Sequence, residues 1–395
     1  MADQKVIVIG GGASGLMAAI TAASAGAKVT ILEHNDRMGK KLAATGNGKG
    51  NLTNLSFRPS EMYRGGDLSF VETAFAHFAV EDTISFFQSL GIYMQNKNGY
   101  LYPRSGQAKT IVNTLTAKAA SLKIKQKTNE HVEAVYFDDL NKLWNVKTKT
   151  WRYEADAVIL ANGSKASMIA GADGTGYQIA DELGLKIVKP LPALCSLKCK
   201  GMDFKQWAGV RTEGTVSLYV DDKYVCSDRG ELQLTDYGIS GIPVFQISRF
   251  AVRALNQKKQ VSVKIDFLPD ISREQFEKQW TELSENLPYK SKAECLEGYL
   301  PDKLSKFLSG QKNLISAVKE MKLTVVGDSG FEKAQVCSGG VAVSEIDPNT
   351  MEAKKYKHLY LVGELLDVDG ICGGYNLQWA WTSGYLAGKN ASLHK

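Results

Sequence analysis

The stretch "KVIVIGGGASGLMAAITAASAGAKVTILE", Lys5 to Glu33, admits few folds. Lys5 to Ile9 is a β-branched apolar run suited to a buried strand. Gly10, Gly12 and Gly15 follow with the spacing G-x-G-x-x-G. Leu16 to Ala25 is rich in Ala and Leu, and Gly26 suits the position just past a helix end. Val29 to Leu32 is a second apolar strand, and Glu33 ends it. The first glycine permits a tight turn, the second lets a pyrophosphate approach the backbone, and the third lets helix and strand pack closely. With Ala13 and Ser14, the helix start offers free N–H groups and partial positive charge to phosphates. Glu33 stands where a carboxylate accepts from ribose hydroxyls. The glycine spacing alone is weak; strand, turn, helix, strand and acid in this order make a dinucleotide-binding unit.

A nicotinamide-binding domain would begin its next helix here. Instead, "EHNDRMGKKLAATGNGKGNLTN" is a long loop, with Gly39, Gly46, Gly48 and Gly50 among Lys40, Lys41, Lys49, Asn47, Asn51 and Asn54. Glycines let backbone approach a ligand, and the cations and amides suit phosphates and a polar ring edge. A flexible surface loop is the plainer alternative.

Further on, Phe75–Leu90 and Lys109–Ala120 read as amphipathic helices with a turn over Leu101–Ala108. His131–Phe137, Asn145–Thr150 and Trp151–Glu154 read as short antiparallel strands. Val132, in the first of these, is counted with the cofactor-binding residues. So are Ala161, Asn162 and Gly163, which end the buried strand "ADAVILANG". "GADGTGYQIADELG" is another glycine loop entering a helix, but without the flanking strands of a nucleotide fingerprint. From Leu194 to Val263 short β runs ("TVSLYV", "KYVCSD", "ELQLTDYG", "VSVKIDF") predict a barrel or sandwich. Ser272 to about Lys319 is helical and charged, and strands then return. The expected organisation is α/β: a split Rossmann-like domain with an inserted β-barrel-like domain and a small helical subdomain. Its parts are 1–190, 191–268 (barrel), 269–325 (helical) and 326–395.

The far end of the chain repeats the physics of the first. His358–Val362 is an apolar strand ending at Gly363 and Glu364; Gly370, Gly373 and Gly374 follow, then Tyr375 and Asn376. Leu377, Ala380, Trp381, Gly384 and Ala387 share a helical face, and Asn376 is expected to cap that helix. One extended ligand can touch both glycine loops: FAD, its ADP half on Gly10–Gly15 and its flavin near Gly373–Leu377, where a helix N-terminus favours negative charge on a reduced ring.

Five blocks ("VIGGGASGL", "RMGKKLAATGNGKGNLTN", "GELQLTDYGISG", "CSGGVAVSEIDPNTME" and "YLVGELLDVDGICGGYNLQWAWTSGYLAG") carry a resemblance that covers nearly the whole chain. The chain resembles the BaiN/YhiN-type FAD-dependent oxidoreductases, also called the aminoacetone oxidase family. The resemblance implies that Gly10, Gly12, Gly15 and Glu33 hold the ADP moiety. It implies that Lys40, Lys41, Gly46 and Asn51 line the cofactor, and that Gly363, Glu364, Gly374, Asn376 and Leu377 serve ribityl and flavin. Lys49-Gly50-Asn51 stands where that family commonly has Arg-Cys-Asn, and Thr235-Asp236-Tyr237-Gly238 where it has Thr-His-Tyr-Gly, so no role passes to the missing cysteine or histidine.

The family includes a reductase of C=C bonds conjugated to a 3-oxo group in bile-acid intermediates, and an amine oxidase that uses oxygen. The expected activity is the reductase, with NADH or NADPH visiting as a transient reductant and a small organic molecule as substrate. A proton donor and a carbonyl polariser are then needed, and Tyr375 and Tyr237 are the candidates; packing plus one hydrogen bond is the plainer role for each. Cys372, beside the flavin loop, reads as a small buried thiol rather than a redox partner of Cys337. Amine oxidase and RNA-associated flavoprotein are the alternatives.

The net charge of +6 comes from lysines scattered among carboxylates, a solvated surface rather than a nucleic-acid stripe. None of the six cysteines forms a C-x-x-C pair, which argues against a disulfide framework or a metal. No apolar run reaches membrane-spanning length, and Val6–Ile9 is a strand rather than a signal peptide, so a cytoplasmic location is expected.

Overall fold

The structure is a computed structural model that describes residues 4–167 and 171–393. The chain divides into two compact units, residues 1–190 with 336–395, and residues 191–335.

The first unit is built on a five-stranded parallel sheet. Its order is Leu359–Leu361, Ala157–Leu160, Lys5–Ile9, Lys28–Leu32, Lys125–Lys127. The first strand of the chain sits in the middle, with Val6 opposite Ala157 on one side and Lys5 opposite Lys28 on the other. Ala157–Leu160 and Leu359–Leu361 are buried throughout, as in parallel strands covered on both faces. The first helix, Ala13–Ser24, packs directly on the last, Tyr375–Ala391. Glycine makes this approach possible: a Cβ on Gly384 would lie 2.5 Å from the Ser14 carbonyl oxygen, and one on Gly388 2.3 Å from that of Ala18. Trp379 and Trp381 of the last helix are fully buried, their indole N–H groups donating to Gly363 O and Leu52 O.

Three smaller antiparallel assemblies also belong to this unit. Val132–Asp138, Leu143–Thr148 and Arg152–Ala155 form one sheet. Thr53–Asn54, Tyr100–Pro103 and Met94–Lys97 form another. Val368–Gly370 pairs with Tyr63–Gly65. The segment expected as a turn, Leu101–Ala108, is thus a strand up to Pro103. The helix expected over Phe75–Leu90 is two helices, Leu68–Phe75 and Val80–Ser89; the Asp82 carboxylate accepts from Ala79 N at 2.8 Å and starts the second afresh.

The second unit is a closed antiparallel barrel of six strands in the order Leu197–Lys200, Gly238–Gly241, Lys223–Thr235, Arg211–Val220, Val261–Asp266, Met321–Asp328. Pairing of Leu197–Lys200 with Met321–Asp328 closes it. Alternate residues are buried, among them Val216, Leu218, Leu232, Leu234, Val263 and Ile265. The helix Ile242–Asn256 belongs to this unit although only β runs were expected there. Four helices follow: Arg273–Asn286, Lys292–Leu296, Asp302–Ser309 and Leu314–Lys319. All four lie within the second unit. Phe307 packs edge-on to Trp207, which also meets Phe267. The return expected at 326 falls inside the strand Met321–Asp328, which the barrel needs for closure, and the second unit extends to Gln335.

Candidate functional site

Within the first unit a cleft opens beside the first glycine turn. Its wall includes Gly10, Gly12, Ala13 and Ser14, then Glu33, Lys40 and Lys41, then Val132, Ala161, Asn162 and Gly163, and finally Glu364, Asn376 and Leu377. Segments from both ends of the chain therefore share one cavity. Gly15, Gly46, Asn51, Gly363 and Gly374 are not on this wall. They shape it: a Cβ on Gly15 would lie 1.9 Å from the Gly10 carbonyl oxygen, and one on Gly363 2.6 Å from Ser14 Oγ. Gly46 (φ 57°) turns the lysine loop back toward the Asn51 backbone.

The acid at the second strand's end is held in place. Glu33 is 6% exposed; its Oε2 accepts from Gly11 N at 2.7 Å, and its Oε1 from Asn35 N and Nδ2, both at 2.8 Å. Farther along the wall, Lys41 Nζ donates to Glu364 Oε2 at 2.5 Å, and the Ser164 hydroxyl donates to the same oxygen at 2.8 Å. Tyr177 and Cys337 are close by, and burial pushes both groups above their ordinary values.

Three features suit a dinucleotide carrying an aromatic ring system. Neither the first nor the last helix has a side-chain cap or an acid in its first turn, so both N-termini keep their positive ends unneutralised. A Cβ built on Gly12 meets nothing within 4 Å, so the backbone there is bare toward the cavity. Asn162 Oδ1 on the wall and Asn51 Oδ1 behind it are buried acceptors with no partner among the described residues. These donors, acceptors and bare backbone fit FAD, whose phosphates, hydroxyls and ring edge need all three.

Two expectations are corrected. Asn376 does not cap the last helix. Gly374, in the left-handed conformation (φ 94°), occupies the N-cap position. The Asn376 amide instead closes its own loop, Oδ1 accepting from Gly370 N and Nδ2 donating to Gly370 O, both at 2.8 Å. Tyr375 is 3% exposed and absent from the cavity wall. Its hydroxyl donates to Ser56 O at 2.7 Å, burial pushes it up to about 12, and Tyr63 donates to its carbonyl. Tyr237 is in the second unit, half-buried at the turn into Gly238–Gly241, with Lys333 Nζ 5.7 Å from its ring centroid. Cys372 is half-buried and Cys337 buried, and neither is bridged.

The wall also holds residues that the sequence reading passed over. His34 and His131 line it, their rings edge to face at 6.1 Å, so two distant loops make one surface. Gly171, Ala172 and Thr175 add the start of the helix Thr175–Glu182. The glycine loop before that helix was the available signal; lacking flanking strands, it was set aside. Among the described residues no group of three or more His, Cys, Asp or Glu is arranged to hold a metal, and no helix is long and apolar enough to cross a membrane.

Comparison with known proteins agrees with this architecture. The HI0933-like protein Rossmann domain family matches residues 4–390. The chain is 42% identical over 408 aligned residues to the 3-dehydro-bile acid delta(4,6)-reductase of Clostridium scindens, covering 98% of this chain and 99% of that one. It is 29% identical to a ribosomal RNA dihydrouridine synthase of Haemophilus influenzae, covering 98% of each. Among solved structures, the 3-ketosteroid-delta4-(5alpha)-dehydrogenase of Rhodococcus jostii RHA1 shares the fold, with a TM-score of 0.53 at 17% identity over 100% of this chain and 98% of that one. With a cleft that fits FAD and a family match along nearly its whole length, the chain belongs to the HI0933-like Rossmann family, the BaiN/YhiN-type flavoproteins, and is an FAD-dependent oxidoreductase.

Proposed function

We propose that the protein reduces C=C bonds conjugated to a 3-oxo group in steroid-like substrates, with NADH or NADPH as a transient donor. The observation that carries this reading is the 42% identity, sustained along both chains, to a reductase of 3-dehydro-bile acids. The first unit would be the FAD-binding domain, and a cytoplasmic location suits a nicotinamide donor. FAD, when bound, supplies hydride exchange at its ring. The N-terminus of Ala13–Ser24, with bare Gly12, would bind the phosphates and Glu33 the ribose. Lys41 and Glu364 would orient the ribityl chain. The N-terminus of Tyr375–Ala391 would stabilise charge on the ring, and Asn51 and Asn162 offer acceptors to its N–H groups. Tyr375 would hold the loop through Ser56 rather than move a proton.

Anaerobic stopped-flow tests the reading. NADH or NADPH should bleach the flavin, and a 3-oxo-4-ene steroid should restore its colour. If both nicotinamides fail and an amine bleaches it, the protein is an amine oxidase. A second reading rests on the ribosomal RNA dihydrouridine synthase relatives. Uracil also carries a C=C bond conjugated to a carbonyl, so one flavin chemistry serves both substrates. RNA binding with affinity falling steeply as salt rises, and re-oxidation by RNA but not steroid, would favour it.

A further inference from the structure

A second phenol stands beside the last glycine loop. Tyr100 opens the strand Tyr100–Pro103, where residues alternate between faces. Leu101 is 5% exposed, so Tyr100 and Tyr102 face the other way. Asn54 lies opposite Tyr100 in the pairing, and its Nδ2 donates to Gly373 O at 3.1 Å. The strand is thereby fastened to the loop. Gly373 has φ 128°, and a Cβ there would lie 3.0 Å from Tyr100 Cε1 and 3.1 Å from Tyr375 Cε2. Two phenol rings thus flank the residue just before the N-cap of the last helix. Their hydroxyls differ: Tyr375's is bonded to Ser56 O, whereas Tyr100 is 39% exposed and its hydroxyl has no hydrogen-bond partner among the described residues.

We propose that Tyr100 is the proton donor of the reduction: like Gly373 it lies off the cleft wall, but the hairpin sets it beside Gly373, one residue before the N-cap of the helix whose N-terminus is proposed to meet the ring. This rests on the reductase reading above. Once hydride has reached one carbon of the conjugated C=C, the substrate is an enolate. Tyr100 gives its hydroxyl proton to the neighbouring carbon: the O–H bond breaks, a C–H bond forms, and the electron pair returns to re-form the carbonyl. The phenolate left behind takes a proton from solvent, which its exposure allows. Lys97 lies directly across the strand pair from Tyr100. The other titratable groups facing Tyr100 are Tyr102 and Tyr375, both raised by burial, and the Lys97 ammonium lies 5.8 Å from the Tyr102 ring centroid.

The test splits the half-reactions of the holoenzyme. Tyr100→Phe should keep FAD and be bleached by the nicotinamide donor at the wild-type rate. Its re-oxidation by a 3-oxo-4-ene steroid should slow on the order of 10²-fold or more, and the solvent deuterium isotope effect on that step should vanish. Tyr102→Phe should retain both. Wild-type re-oxidation in Tyr100→Phe, with the isotope effect intact, overturns the proposal. If the wild-type flavin is not re-oxidised by the steroid at all, the substrate reading fails instead. Tyr100 is then judged on oxidised protein alone. Raising pH should produce a long-wavelength phenolate-to-flavin absorbance in wild type and Tyr102→Phe that Tyr100→Phe lacks. Its absence from the wild type removes Tyr100 from the ring and overturns the placement.

Discussion

Two glycines in one turn do different work, and substitution separates them. A Cβ on Gly15 would collide with the Gly10 carbonyl oxygen, whereas one on Gly12 projects into open cavity. Gly15→Ala is expected to lower the melting temperature and abolish cofactor retention. Gly12→Ala should fold with a near-normal melting temperature yet lose FAD affinity by at least tenfold in a fluorescence titration. The cysteines give a second prediction. Burial pushes the Cys195 and Cys199 thiols from 9.0 up to about 12. A folded-state value above the unfolded one means that stability is intact below about pH 9 and falls as pH climbs toward 12. Iodoacetamide at pH 8 should therefore spare Cys195 and Cys199 while modifying half-buried Cys226 and Cys372, read by peptide mass. At this scale the sequence was legible in placement, as with Glu33, which directly follows the second strand and lines the cleft. Asn376 misled because its propensity for an N-cap is real, but a left-handed Gly374 takes that position first and frees the amide for Gly370. Tyr100 was missed because its importance comes from a loop 273 residues away, which no local pattern announces.

Among elements, the contact between the first and last helices is the most exacting. Gly384 and Gly388 meet Ser14 and Ala18 backbone with no room for a side chain. Gly388→Leu should force the helices apart and cost about 1–3 kcal/mol, measured as a fall in denaturation midpoint. The same change at exposed Gly209, where a Cβ meets nothing, lacks this clash; its backbone strain at φ 89° is the only penalty. Elements with strong local signals were read well: the buried parallel strands, and the charged helix Arg273–Asn286 with its Ser272 and Gln275 capping box. Elsewhere local signals competed with packing. "KYVCSD" and "ELQLTDYG" read as separate β runs, yet Lys223–Thr235 is one strand because Arg211–Val220 pairs along it. The helix Ile242–Asn256 was hidden among β-branched residues; Pro243 in its first turn was the sign of its start.

For the whole molecule, the split of the first unit was readable because both flanking segments carry apolar strands of one parallel sheet. The boundary at its far side was not. Met321–Asp328 is an ordinary strand by pattern, and only its pairing with Val261–Asp266 and Leu197–Lys200 commits it to the barrel. Such long-range closure leaves no mark in a local window. FAD at 100 times its dissociation constant should add about 2.7 kcal/mol to the stability of the unit that binds it. Amide exchange should show this as added protection in both parts of the first unit, near residues 10–15 and 374–380 together. Protection of the early part alone would mean that the late glycine loop does not meet the cofactor.

The union of Ala13–Ser24 with Tyr375–Ala391 also has a consequence for synthesis. A nascent chain makes its phosphate-binding turn long before Tyr375–Ala391, which supplies Asn376, Leu377 and Ala380 to the cleft wall. Capture of a cofactor that needs both walls is therefore expected only after Tyr375–Ala391 has been made and has packed on Ala13–Ser24.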